Sequence, residues 1–275
     1  MTIALLHPGE MGAAIAGCLV RDGTRVVYAS ENRSRESCAR AESEGIQDAS
    51  TLSRALAQSD AVLSICIPSG AVDVARSAAV ANFKGIYVDA NAIAPATTRE
   101  IGQLVEAAGA TFVDGGIIGL PPTPKRVTRV YLSGAQAPTI AALFTGTQTE
   151  AIAMENAPIG AASALKICFA AWSKGETALL AIVRALAEHE GVDDTLMNEW
   201  RRSMPGVAEQ SEHIVQRAWK AWRWAGEMEE IAASFEDAGL PSGFLANAEI
   251  YRRLTDLKDQ KDTTRDDINR RLLRS

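Results

Sequence analysis

Histidine and cysteine are scarce in this chain. Three histidines and four cysteines are spread over 275 residues. Cys18, Cys38, Cys66 and Cys168 lie far apart with no C-x-x-C pair, so neither a disulfide framework nor a structural zinc site is expected. No metal is expected, and a reducing, cytoplasmic setting is the simplest one. No apolar run approaches the roughly 20 residues of a membrane-spanning helix. The first residues, MTIALLHPGEMG, lack the basic stretch, apolar run and cleavage site of a signal peptide. Positive charge is in deficit: 28 Lys and Arg against 34 Asp and Glu leave a net charge of −6. That balance argues against general nucleic-acid binding. The expected partner is a small molecule rather than a nucleic acid or a membrane. What remains is ordinary globular usage, 47% hydrophobic and 23% charged, in one large domain or two modest ones.

Glycine, proline and tryptophan are unevenly distributed. Residues 1–150 hold 14 of the 21 glycines and seven of the ten prolines, whereas all five tryptophans follow residue 170. The first half alternates short apolar runs with helical stretches. Strands are expected at 2–6, 25–29, 61–67, 86–89, 111–114 and 127–133, with helices at 9–20 and 35–44. This alternation predicts an α/β fold with a doubly wound, mostly parallel sheet of the Rossmann type. After Pro158 the pattern changes. From 161 to 190 there is no proline and one glycine, Gly175, among strong helix formers. One helix of about 45 Å is expected there. Shorter helices follow, broken at Gly191, Pro205, Gly226, Gly239 and Pro241, and the last 25 residues read as a solvated helix and tail. The expected division is 1–156, a dinucleotide-binding domain, and 157–275, an all-α domain, with Lys166 near the seam.

The turn after the first strand reads His7-Pro8-Gly9-Glu10-Met11-Gly12. A dinucleotide site needs glycines here for a tight turn, for close approach of the backbone to the pyrophosphate and for close helix packing. Gly9 and Gly12 stand at the second and third positions, and His7 replaces the first glycine. The helix that begins here offers its N–H groups to phosphate. The end of the second strand discriminates between cofactors. Glu31 stands 19 residues after Gly12, near the spacing of a ribose-binding acid, whereas Arg33 and Ser34 suit a 2′-phosphate. The balance favours NADP(H) over NAD(H). Asn32 or Ser34 as a plain helix cap is the other reading of this segment.

These residues resemble the 6-phosphogluconate dehydrogenase and 3-hydroxyisobutyrate dehydrogenase superfamily, the β-hydroxyacid dehydrogenases. Gly9-Glu10-Met11-Gly12 resembles its G-x-M-G turn, and Asn32-Arg33-Ser34 its NADP-type N-R-T/S. Cys66-Ile67-Pro68-Ser69 is similar to the strand end that lies against the cofactor. Asp89-Ala90-Asn91-Ala92-Ile93-Ala94-Pro95 is similar to the loop beside the nicotinamide. Gly160 and Lys166 match the helix motif whose lysine is the catalytic acid/base. The stretch 164–175 is similar to a bacterial subgroup with a poorly characterised helical C-terminal domain. The resemblance implies a cofactor site of Gly9, Glu10, Met11, Gly12, Asn32, Arg33, Ser34, Ile67 and Pro68. It implies Lys166 and Asn91 as catalytic residues and Gly116, Ile118, Gly119 and Ser163 as substrate contacts. It also implies a homodimer formed through the helical domain. Two positions depart from the family. Ile118 and Leu120 stand where a serine and a glycine usually hold the substrate carboxylate, and Ala170 stands where the family has asparagine.

The residues themselves agree with this chemistry. Removing a proton from an alcohol, or returning it to a carbonyl, needs a group titrating near neutrality, and burial brings lysine towards it. Lys166 has Leu165, Ile167 and Phe169 as neighbours. Lys174, eight residues on and turned by about 80°, is expected to be structural. Asn91 is a ligand for nicotinamide or substrate, or a turn residue. Ser163 shares a helix face with Lys166. Lys125, Arg126 and Arg129 could meet an anionic substrate group or lie in solvent. Trp219, Trp222 and Trp224 form a helix core or a dimer interface. His7 is expected near the phosphates rather than as a catalyst, and His189 and His213 as structural. The leading expectation is an NAD(P)-dependent oxidoreductase acting on a small polar hydroxy compound or its carbonyl counterpart. An imine reductase-like enzyme and a non-catalytic NADP(H)-binding sensor are the rivals.

Overall fold

The computed structural model describes residues 1–273. Within it the chain divides into two compact units, Met1–Lys166 and Ile167–Ser275. The first is built on a single eight-stranded sheet in the order β3-β2-β1-β4-β5-β6-β7-β8. Its strands are β1 (Thr2–Leu6), β2 (Arg25–Tyr28), β3 (Gln47–Asp48), β4 (Ala61–Ser64), β5 (Ile86–Asp89), β6 (Thr111–Ile118), β7 (Thr128–Ser133) and β8 (Thr149–Ala153). Helices α1 (Glu10–Arg21), α2 (Arg35–Ser43), α3 (Leu52–Ala57), α4 (Ala71–Val80), α5 (Pro95–Ala107) and α6 (Ala137–Ala142) lie between them. All neighbouring strands are parallel except β6 and β7. The expected doubly wound sheet is therefore present.

The strands read as unbroken apolar runs because both faces of the sheet are covered. Side chains alternate along each strand, so Leu5, Val88 and Val113 enter one core with Ile15 and Leu19 of α1. Ala4, Val62, Tyr87 and Phe112 enter the other with Ile101 and Val105 of α5. Strand order reverses between β1 and β4, which opens the crevice in which ligands of such sheets bind.

Several strand expectations differ from the structure, two of them (25–29 and 127–133) by a single residue. The fourth strand stops at Ser64 rather than continuing to residue 67, because the Cys66 amide is drawn off to the Asn91 side chain. The sixth continues to Ile118, since it pairs antiparallel with β7 as far as Ile118 opposite Arg129. β3 and β8 were not expected; one is two residues long and the other, TEAIA, is poor in β-branched residues.

The long helix is present as α7 (Ala161–His189). Its amino terminus is fastened within the first unit by Asp114 of β6, which is wholly buried. Asp114 Oδ2 accepts hydrogen bonds from the backbone N–H groups of Gly160 (3.0 Å), Ala162 (2.9 Å) and Ser163 (3.1 Å). The Ser133 hydroxyl donates to the same oxygen, and the Ser163 hydroxyl to Oδ1 at 2.6 Å. A carboxylate at a helix start satisfies donors that no turn of the helix can reach and is favoured by the helix dipole.

The second unit comprises the rest of α7 and α8 (Asp193–Ser203), α9 (Pro205–Gln210), α10 (His213–Ala221), α11 (Trp224–Asp237), α12 (Phe244–Arg253) and α13 (Arg265–Leu272). Its core includes Ile214, Met228, Ile231, Tyr251, Leu254 and Ile268. The expected break at Gly226 is absent; that glycine lies inside α11, and the chain turns at Trp222–Arg223 instead. Of the expected solvated tail, Arg274 and Ser275 lie outside the described residues. Lys174 is structural: it pairs with Glu227 and lies 5.8 Å from the Trp224 ring.

Asp114→Ala would strip five hydrogen bonds from one buried carboxylate. A loss of about 3–5 kcal/mol in unfolding free energy is expected. Denaturant titration beside the wild type measures it, and a change below about 1 kcal/mol would refute the fastening role of Asp114.

Candidate active site

The site grows from the carboxyl ends of β1, β4, β5 and β6. At the end of β1 the chain turns sharply, with His7 at φ 73° and the Gly9 amide bonded to the His7 carbonyl at 2.8 Å. A Cβ on Gly12 would meet that carbonyl at 3.0 Å and Leu5 Cδ1 at 3.3 Å, so glycine is needed for α1 to approach the sheet. A Cβ on Gly9 would meet nothing within 4 Å. Gly9 borders open space, and no side chain caps α1. These features fit a pyrophosphate, which needs room at the second glycine and a helix amino terminus facing it.

Beyond β2 the structure sorts the candidate ribose residues. Glu31 is engaged elsewhere, its carboxylate accepting the Leu52 amide at 2.6 Å. Asn32 takes a left-handed backbone, φ 59°, and is exposed. Ser34 caps α2, its hydroxyl accepting the Ser37 amide. Arg33 is half-buried, with Nη1 2.6 Å from His7 Nδ1. Arg40 donates to the Pro8 carbonyl at 3.1 Å and so ties α2 to the turn. At the end of β4, Ile67 is 70% exposed, an apolar side chain open to solvent beside the half-buried Pro68.

Asn91 is 2% exposed, and both polar atoms of its side chain are bonded inside the protein. Its Oδ1 accepts the Cys66 amide at 2.5 Å, and its Nδ2 donates to Asp89 Oδ2 (2.9 Å) and Ser64 Oγ (3.3 Å). Its backbone amide donates to Asp89 Oδ1. Burial pushes the Asp89 carboxyl up to about 7, against the pull of the two Asn91 donors. Burial, reinforced by Asp89, pushes the Cys66 thiol up to about 12, so it is no nucleophile at neutral pH. This cluster fixes the loops after β4 and β5 to each other.

β6 carries the other half of the site. Asp89 and Asp114 are paired in register on neighbouring strands, and Gly116 follows two residues beyond that pair. A Cβ on Gly116 would meet the Ala162 carbonyl at 2.4 Å and Lys166 Cβ at 3.2 Å. Glycine is therefore what lets α7 lie against the strand and sets Lys166 at its end. Lys166 is half-buried, and desolvation lowers its pKa below the ordinary lysine value. Ser163 does not face outward beside it. Its hydroxyl is buried between Asp114 and the Thr98 hydroxyl, 2.8 Å away. Ile118 is buried and Gly119, at φ 131°, is exposed.

The structure thus brings together Gly116, Ser163 and Lys166 in one group, and His7 and Arg33 in another. Sequence reasoning gave neither Asp89 nor Asp114 a role; the only signal was a carboxylate ending an apolar run. Among the described residues no group of three or more His, Cys, Asp or Glu could hold a metal, and no helix is long and apolar enough to cross a membrane.

Residues 2–143 match the family described as the NAD binding domain of 6-phosphogluconate dehydrogenase. Residues 187–254 match a domain of unknown function, DUF1932. An uncharacterized 28.5 kDa protein of Methanothermus fervidus is 29% identical over 198 residues, 72% of this chain and 75% of that one. The fold is similar to 3-hydroxyisobutyrate dehydrogenase of Mycobacterium tuberculosis, solved with L-serine, at TM-score 0.75 and 17% identity over 99% of both chains. It is also similar to a reductive aminase of Aspergillus terreus in complex with NADPH and ethyl levulinate, at TM-score 0.59 and 17% identity over 97% of both chains.

Gly116→Ala should force α7 from the strand. A loss of about 1–3 kcal/mol in stability is expected, together with faster acetylation of Lys166 read by mass spectrometry. Unchanged stability and unchanged labelling would show that the contact does not hold the lysine.

Proposed function

We propose that this chain, which belongs to the 6-phosphogluconate dehydrogenase NAD-binding family of oxidoreductases, transfers hydride between NADP(H) and a small polar hydroxy compound or its carbonyl counterpart. The observation that carries this reading is Lys166, half-buried against Gly116 with its ammonium disfavoured by desolvation. The bound cofactor would supply or accept the hydride. The Gly9–Gly12 turn and the start of α1 would hold its pyrophosphate, and Arg33 its 2′-phosphate. Ile67 and Pro68 would cover its apolar surface.

Lys166 Nζ would take the hydroxyl proton during oxidation and return it to the carbonyl oxygen during reduction. A base must be neutral, so oxidation should rise with pH through the pKa of Lys166, below that of free lysine. An acid must be protonated, so reduction should fall over the same range. Asn91 is a positioning residue in this scheme, because its amide is already committed to Cys66, Asp89 and Ser64. Ser163 likewise orients the lysine-bearing helix through Asp114. Gly116, Ile118 and Gly119 would border the substrate. The cytoplasm is the proposed compartment, and it suits four free thiols.

One observation favours a second reading. The side chains of Ile118 and Leu120 offer no hydrogen bond to a substrate carboxylate, which suits reduction of an uncharged C=N bond. The A. terreus reductive aminase, similar in fold, binds NADPH. A non-catalytic NADP(H) sensor is the remaining rival, and an intact, desolvated lysine weighs against it.

A homodimer is also proposed, through α7. Trp172, Leu179 and Leu186 recur every seven residues on one face of this helix, and Trp172 is 72% exposed. The tryptophan-rich segment, the other candidate for this interface, has cations of its own unit over its rings. Lys258 lies 4.6 Å from the Trp222 ring, and Lys220 and Lys261 lie within 6 Å of Trp219. Light scattering should give twice the chain mass for the wild type and a lower mass for Trp172→Glu. A monomeric wild type would contradict this.

The activity is tested by following NADPH and NADH absorbance over hydroxy acids, aldehydes and imines. NADPH turnover should be lowered about 100-fold or more in Lys166→Ala. Its pH dependence on Lys166 should vanish with it. Turnover of imines alone would select the second reading, and NADPH binding with no turnover, indifferent to Lys166→Ala, would select the sensor.

A further inference from the structure

The residue His7 occupies a position that favours glycine. Its φ of 73° lies in the left-handed region, which a histidine adopts at a cost and a glycine does not. The steric gain of glycine is forgone, so the imidazole should do something a hydrogen atom cannot. Its imidazole meets Arg33, 26 residues away, where Arg33 Nη1 lies 2.6 Å from Nδ1. Arginine only donates, so the imidazole nitrogen accepts and the ring is neutral, with its proton on Nε2. Burial and the Arg33 charge both keep it neutral, lowering its pKa to about 4.

The chemistry of this pair is informative. A carboxylate at this point would neutralise Arg33 and repel a phosphate. A neutral imidazole fixes the guanidinium in direction and leaves its charge intact. Glu31, the nearby carboxylate in sequence, is turned to the Leu52 amide instead. The Arg33 guanidinium is thereby set at the end of β1, beside the turn proposed to hold the pyrophosphate.

We propose that His7 is a specificity-determining positioning residue: it orients Arg33 to receive a phosphomonoester on the adenosine ribose of the dinucleotide. This rests on the NADP(H) reading above. His7 touches the arginine rather than the reacting atoms, and its effect should be confined to the ratio of NADPH to NADH affinity. Asparagine tolerates the left-handed backbone and can accept through its side-chain oxygen. It is the conservative substitute.

The test is a fluorescence titration of NADPH and of NADH on the full chain, for wild type, His7→Gly, His7→Asn, Arg33→Ala and the His7→Gly/Arg33→Ala double variant. Arg33→Ala should weaken NADPH about tenfold or more with little effect on NADH. His7→Gly should weaken NADPH about fivefold, again sparing NADH, and should add little to Arg33→Ala in the double variant. His7→Asn should retain most of the preference. The melting temperature of His7→Gly should not fall, since glycine suits the backbone. If Arg33→Ala abolishes the preference while His7→Gly leaves it intact, or weakens both cofactors equally, the role of His7 is overturned and the cofactor reading stands. If the wild type binds NADH as tightly as NADPH and Arg33→Ala changes neither, both fall together.

Discussion

The Asp114 carboxylate holds the first unit and its chemistry together. It sits at the level where β6 leaves the parallel part of the sheet, and it gathers the start of α7, Ser133 and Ser163 onto two oxygen atoms. A buried carboxylate is tolerable only when so many donors surround it. The consequence is positional. With the helix start fixed by Asp114 and its first turns pressed against Gly116, Lys166 has one place to be. Desolvation there turns an ordinary lysine into a candidate acid/base.

The site has two ends with different electrostatics. Around Gly9–Gly12 and Arg33, backbone N–H groups and an arginine paired with a neutral ring favour anions. Around Asp89 and Asn91 the carboxyl is pushed up to about 7 and the amide is fully engaged. One end is built to hold charge, the other to hold loops in place. A hydride-transfer enzyme needs this division, because the cofactor is anchored by its phosphates while the reacting ring must lie against rigid, weakly charged walls.

Much of this was legible in the sequence because it is local. The glycine turn, the alternation of strands and helices and the long proline-free helix each follow from spacing and composition, and each is present. What was not legible depends on contacts between distant residues. Nothing near Asp114 announces that it binds residues 46 to 49 positions later. Asn91 and Ser163 were candidates as ligands, yet both side chains are spent on buried partners that no local pattern reveals. The short β3 lacks the length for a periodic signal. In the sequence Trp219 and Trp222 read as a helix core or a dimer interface; Lys261 and Lys258, from a later segment of the same unit, lie over their rings, and the most exposed tryptophan is Trp172.

Desolvation at the start of α7 lowers the pKa of Lys166 below the ordinary lysine value. The direct measurement is a pH titration of the protein with 13C-labelled lysine side chains, followed by NMR, with Lys166→Arg assigning the signal. The Lys166 resonance should titrate below the range of the other lysines, and Gly116→Ala should move it back towards them. A Lys166 that titrates with the surface lysines, unmoved by Gly116→Ala, would show that burial at the start of α7 does not perturb it.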